Sequence, residues 1–314
     1  MRKVIFILLV FFVFSCEEDI EHPVAKETWP VVHCLLDADD SVQYLRLGKT
    51  FSGTDFEGMI SNSDSLYFRD ASVYFDFSEL GGKQAIVRLE PSDEMERQPG
   101  VFPVKPFRLY KTNYPIEPGA INLRIEIPEI NRFVKATIGV RSKPVFKYPN
   151  PRFKKMLDFY EEEHVRIQWD GYENVCETTV RLWYLETRED GSDTCKLDWT
   201  RYSFDFVLFA SDWIDYMLYW IKDDYHVRAR RVLSVDILAT GGNYQLDRYL
   251  TYKDWTIDLI DKPYSNLINA YGIVASRASG GLFDYLPDQQ FVDTLAFSQR
   301  TQRLKFVNWL EPGH

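Results

Sequence analysis

Between residues 28 and 141 apolar and polar positions alternate with a period of two, in short runs broken by turn residues. The run "TWPVVHCLL" is rich in β-branched residues and ends at the turn "DADDS". In "VQYLRLGKTF", which follows, Val42, Tyr44 and Arg46 fall on one face and Leu45 and Leu47 on the other. Such alternation is the mark of a half-buried strand. "ASVYFDF" and "QAIVRLE" flank "SELGGK", whose Gly81 and Gly82 supply the positive φ that a tight hairpin needs. "FRLYKTN", "INLRIEI" and "FVKATIGV" extend the series, with turns at Pro115, Pro118, Gly119, Pro128 and Asn131. Seven short strands with no helical period among them predict an immunoglobulin-like β-sandwich over residues 28–141.

The pattern changes after residue 141. Residues 142–163 are rich in proline and cations and read as a linker or crossing segment between domains. From 164 to 314 the chain is again mainly β, with strands expected at "HVRIQWD" and "RYSFDFVLF" and a hairpin in "ETTVRLWYLETREDGSDTCKLDW". A second hairpin is expected to turn at Gly241 and Gly242, a further strand to run into the glycines of "ASGG", and "RLKFVNW" to close the domain as a strand. One or two short helices interrupt this half. In "SDWIDYMLYWIKDD", Trp213, Tyr216, Met217 and Trp220 recur at i, i+3, i+4 and i+7, the core-facing spacing of an amphipathic helix. "DQQFVDTLAFSQRT" suits a second. The expectation is therefore an all-β protein of two units, a sandwich followed by a mainly-β domain.

The start of the chain follows another pattern. Arg2 and Lys3 precede an unbroken apolar run from Val4 to Phe14, then Ser15 and Cys16. A charged start followed by a short apolar core is a signal-peptide layout, and 11 apolar residues fall well short of the roughly 20 that span a bilayer. Residues 1–15 read as a signal peptide and 16–27 as an acidic tether. The Cys at the end of the core resembles the lipobox of bacterial lipoproteins, in which Cys16 becomes the lipidated first residue. Glu17, Glu18, Asp19 and Glu21 follow at once. That run resembles the surface-export signal of Bacteroidetes-type lipoproteins, carried to the outer face of the outer membrane.

Charge and composition narrow the partners. The net charge is −10, and without Arg2 and Lys3 the remaining 35 bases face 47 acids, or −12. A chain this acidic has no broad attraction for nucleic acid, which is excluded as a main partner. Anchoring to the membrane falls to the lipid. No phosphate loop, dinucleotide fingerprint, nucleophile elbow or zinc-protease motif occurs, and the five histidines are scattered. No catalytic residue, metal ligand or cofactor is assigned. "HVRARR" is expected to be a solvated face, with Arg228 and Arg230 on one side.

Cysteines and aromatics supply the remaining candidates. Cys176 and Cys195 flank the turn "REDGSD" and are a candidate disulfide, although their unequal offsets from Gly191 would not set them directly opposite. Cys34 reads as a buried thiol. The chain holds 8 Trp, 19 Tyr and 22 Phe, and aromatics serve glycan and protein interfaces alike. Trp213, Tyr216 and Trp220 are the candidate ligand or partner contacts.

Several stretches together resemble a Bacteroidetes-type family catalogued as domain-of-unknown-function 4249. These are the lipobox with its acidic follower, "VVHCLLDADDSVQYLRLGKTF", "ASVYF", "INLRIEIPEINRFVKATIGV" and the late "AYGIVASRASGG". The resemblance implies an outer-membrane lipoprotein acting near a TonB-dependent receptor or another barrel protein, and it implies no catalytic residues. The functional expectation is a surface-exposed, non-enzymatic accessory component that binds a glycan or peptide. The alternative is a carbohydrate-binding lipoprotein of the starch-utilisation type, with the aromatic helix as its stacking platform.

Overall fold

Seven strands occupy the first half: β1 (Pro30–Asp37), β2 (Gln43–Lys49), β3 (Ser72–Asp76), β4 (Ile86–Ser92), β5 (Leu109–Thr112), β6 (Gly119–Ile127) and β7 (Arg132–Val140). They are seen in a computed structural model that describes residues 27–50, 63–78, 85–96, 98–99, 107–160, 163–170, 176–253 and 264–308. Cys16, Glu17, Glu18 and Asp19 lie outside the described residues, as does the Gly81–Gly82 turn. Each strand falls where alternation predicts it. Val32, Cys34 and Leu36 of β1 point inward, as do Val73 and Phe75 of β3, Leu123 and Ile125 of β6, and Val134 and Ile138 of β7. Each such side chain contributes about 1.5–3 kcal/mol on full burial.

These strands form two layers around one core. β1, β2 and β5 belong to the first layer, and β3, β6 and β7 to the second. β4 turns the corner, because Ile86–Leu89 pair with β3 while Glu90–Ser92 pair with β5.

The second half adds β8 (Phe146–Tyr148), β9 (Met156–Leu157), β10 (His164–Trp169), β11 (Cys176–Arg188), β12 (Ser192–Arg201) and β13 (Asp205–Phe209). Then come α1 (Ala210–Trp220), β14 (Val227–Gly242), α2 (Tyr244–Lys253), β15 (Tyr271–Pro287) and α3 (Gln289–Phe297). The protein is all-β with a few short helices. A second core gathers residues of β10, β11 and β14 with Trp213, Ile214 and Met217 of α1 and Phe291 and Leu295 of α3.

The partition into a self-contained sandwich and a later domain does not hold strictly, because β15 serves both cores. Residues Tyr271–Arg277 run parallel to Val31–Asp37 of β1, and residues Arg277–Tyr285 run antiparallel to β14. Ala270 and Val274 pack in the first core, Leu282 and Tyr285 in the second. One hydrogen-bonded path therefore runs β12-β11-β14-β15-β1-β2-β5-β4-β3-β6-β7. The crossing depends on Gly272. It sits at φ +108° opposite Val32, and an added Cβ would lie 2.0 Å from the Val32 carbonyl oxygen. Only glycine fits there.

Four expectations in this half need correction. Gly241 and Gly242 stay in β14 and no hairpin turns there. Asn243 instead caps α2, its Oδ1 accepting from Leu246 N at 3.0 Å. β15 continues through Gly280 and Gly281 rather than stopping at them. The closing segment is a 3-10 turn, Gln302–Leu304, after which Phe306 bridges Arg230. Finally, 142–163 is more than a linker. It carries β8 and β9, and Phe146, Leu157 and Phe159 enter the second core. Asp288, the N-cap of α3, fastens it by accepting from Phe291 N (2.9 Å) and Phe159 N (2.5 Å).

Candidate functional site

Helix α1 splits the three aromatic candidates between inside and outside. Its Trp213 is 0% exposed, stacked on Phe291 with centroids 5.1 Å apart, so it is core and not a ligand contact. Tyr216 is half-buried, and its hydroxyl donates to the Asp198 carbonyl at 2.7 Å. Trp220 reaches solvent at 55% exposure beside Tyr219 at 78%. Those two rings stand at 81° to each other. A sugar platform needs open faces presented together, and a perpendicular pair with its third member buried does not supply one.

The cysteines are set apart by register. Cys195 lies opposite Tyr184, and Cys176 is eight residues further along β11, roughly 26 Å at strand rise. A bridge requires Cα atoms within about 7 Å, and Cys176 and Cys195 are not joined. Cys34 is buried as expected, and burial pushes its thiol up to about 12.

The face expected at "HVRARR" is only partly solvated. Arg228 is exposed and pairs with Glu189 at 2.8 Å, but Arg230 is buried. Its Nε donates to Glu186 Oε2 at 2.9 Å and its Nη1 to the Leu304 carbonyl at 2.8 Å. This is a structural knot that joins β11 and β14 to the C-terminal turn.

The best-formed concavity among the described residues lies elsewhere, on the outer face of the β3-β6-β7 layer. Inward residues of these strands build the core, so their alternate residues floor a groove of about 540 Å³. Register arranges that floor in rows. Tyr74, Arg124 and Lys135 stand side by side, and next to them Asp76, Asn122 and Thr137. Glu126 flanks the first row and pairs with Arg124. Ile86, 68% exposed, bounds one side, and Ile268, 62% exposed, the other.

Strand pairing makes the floor rigid, and its charges are placed individually. Asp76 Oδ1 accepts from Ser78 N at 2.9 Å, and the hydrogen bonds from Ser78, with the nearby Arg124 charge, hold its carboxyl below its ordinary value. Thr137 Oγ1 donates to Asn122 Oδ1 at 2.7 Å. Lys135 forms no ion pair among the described residues.

The β7 edge beside the groove is only partly closed. Lys135 exchanges both backbone bonds with Ile268 (3.3 and 2.9 Å), so the odd-numbered residues of β7 turn their backbone groups away from β6. The Phe133 carbonyl accepts from Asn269 Nδ2 and the Gly139 carbonyl from Asn243 Nδ2 and Ser276 Oγ. Between them Thr137 keeps an N–H and a carbonyl without a protein partner among the described residues.

None of these groove residues stood out in the sequence. The polar half of each alternation was visible. That β3, β6 and β7 are neighbours was not, nor that residues 266–268 return from far along the chain to wall them.

Among the described residues no three His, Cys, Asp or Glu side chains converge as metal ligands, and no helix is long and apolar enough to cross a membrane. No protein-family model matches the chain, and no curated protein matches it.

Proposed function

We propose that this is a surface-exposed outer-membrane lipoprotein, anchored through Cys16, that acts as a non-enzymatic binding partner of a TonB-dependent transporter or similar barrel protein. The address comes from the sequence: a short leader ending at a cysteine, followed by Glu17, Glu18 and Asp19. The observation that carries the binding role is the groove on the outer face of β3, β6 and β7. It is of a size that holds a small ligand, it lies on a rigid strand ladder, and it presents fixed charges between two exposed isoleucines. Two of its charged groups are held in place, Arg124 by Glu126 and Asp76 by Ser78, while Lys135 has no ion-pair partner among the described residues.

The glycan reading on helix α1 has less support, because Trp213 is buried and the exposed rings are perpendicular.

Affinity purification from native membranes tests the proposal. The protein is expected to bring down a barrel protein and to be cut by protease on intact cells. Recovery without any barrel protein, or protection in intact cells with digestion after lysis, would overturn it.

A further inference from the structure

The groove carries two fixed charges of opposite sign that are far apart and differently engaged. Asp76, which lines the groove, is held as a carboxylate by hydrogen bonds from Ser78. Lys135 brings an ammonium with no protein counter-ion among the described residues. Arg124, between them, is already matched by Glu126.

Register gives the span. Tyr74, Arg124 and Lys135 share a row, and Asp76 is two residues along β3 from Tyr74. Two inter-strand steps and two residues of rise put Asp76 and Lys135 roughly 12 Å apart. At roughly 3.3–3.6 Å per residue, the amino and carboxyl termini of three or four extended residues cover that distance.

Two further features select an amide-bearing ligand. The neutral polar side chains of Asn122 and Thr137 lie on the floor between the two charges, where a backbone amide of a crossing chain can meet them. The exposed Ile86 and Ile268 offer apolar contacts at both rims, suited to alternate side chains of an extended chain.

From this geometry we infer that the groove binds short, unblocked peptides, with the ammonium at Asp76, the carboxylate at Lys135 and a backbone amide over Asn122 and Thr137. This rests on the binding role proposed above and adds the ligand class.

Calorimetric titration of the full-length lipoprotein in detergent with alanyl-isoleucyl-alanine tests it. Saturable binding is expected. N-acetylation or C-amidation of the peptide should each weaken it roughly ten- to a hundredfold, the loss of one charge-assisted contact. Asp76→Asn should abolish the effect of N-acetylation, and Lys135→Met that of amidation. Both positions are exposed or half-buried, so thermal melts of the variants should match the parent. Equal binding of blocked and free peptide, or variants that leave both affinities unchanged, would overturn the assignment. So would binding of maltotriose with none of the peptide, although the groove would then keep its recognition role. If neither probe binds while a barrel protein still co-purifies, the peptide class fails and the accessory role stands.

Discussion

Arg230 and Glu186 face each other from adjacent strands with 2.9 Å between Nε and Oε2, and both side chains are more than nine-tenths buried. The pair is not isolated. Arg188 donates to the other Glu186 oxygen at 2.5 Å and also meets Asp224 at 3.1 Å. Removing Arg230 leaves Glu186 with Arg188 alone and takes a donor from Glu186 Oε2 and from the Leu304 carbonyl, and an unsatisfied buried polar group costs about 1–3 kcal/mol. Arg230→Met should therefore lower the melting temperature far more than Arg228→Met, whose partner Glu189 is exposed. Comparable melts for the two variants would show that the knot does not hold the C-terminal turn.

The two ends of helix α1 should respond to truncation by very different amounts. Trp213→Ala opens a cavity against Phe291 and Phe159 and is expected to cost about 3–5 kcal/mol. Trp220→Ala, at an exposed site, should stay within about 1 kcal/mol. Denaturant titration of both variants measures the contrast, and a large loss at Trp220 would mean that its ring is covered.

Gly272→Ala should break the join between β1 and β15. The added Cβ would collide with the Val32 carbonyl, a backbone atom that cannot swing aside. The expected outcome is loss of hydrogen-exchange protection along both strands, with destabilisation beyond the roughly 1 kcal/mol usual for a point change. Gly139→Ala, whose Cβ meets nothing within 4 Å, is the control.

Alkylation without reductant tests the cysteines. In the unfolded chain Cys34, Cys176 and Cys195 should all label, since none is bridged to another. In the native protein the half-buried Cys195 should label first. Cys34 should resist, because burial both covers it and disfavours its thiolate. Mass spectrometry showing Cys176 and Cys195 linked would contradict the strand register.

Asp198 gives a pH signature. Its carboxyl is held below the ordinary value, chiefly by the Arg181 guanidinium at 2.6 Å. Its stabilisation is thus full above the unfolded value of about 3.8 and is lost as pH falls through the lower folded value. With both side chains partly solvated, Asp198→Asn should cost about 0.5–1 kcal/mol at neutral pH. The gap between variant and parent should close on acidification below the unfolded value of about 3.8, as the parent protonates. A gap constant across that range would remove the ion pair from the account.

The first seven strands were legible because each is short, half-buried and bounded by turn residues, so local alternation carries its assignment. The second half was less so. β15 is buried on both faces over Val274–Ser276, and a run without alternation does not announce which partner it pairs with. The helix after Asn243 was hidden because its cap follows two glycines that look like a turn. The groove was invisible for a different reason. Its lining comes from three strands and one distant segment, and only register brings Asp76, Arg124 and Lys135 onto one floor.

The pairing of β1 with β15 also sets a timetable. β1 is synthesised early, while Tyr271–Arg277, the strand that completes its layer, arrives some 240 residues later. Until then one edge of β1 has no partner, and an open edge is a template for pairing with the wrong chain. Closing so long a loop is slow as well. The first half can align its own hairpins as the chain grows, but it cannot finish until nearly the whole chain has been made. A fragment ending at residue 141 would therefore carry every element of the sandwich except the one that seals it.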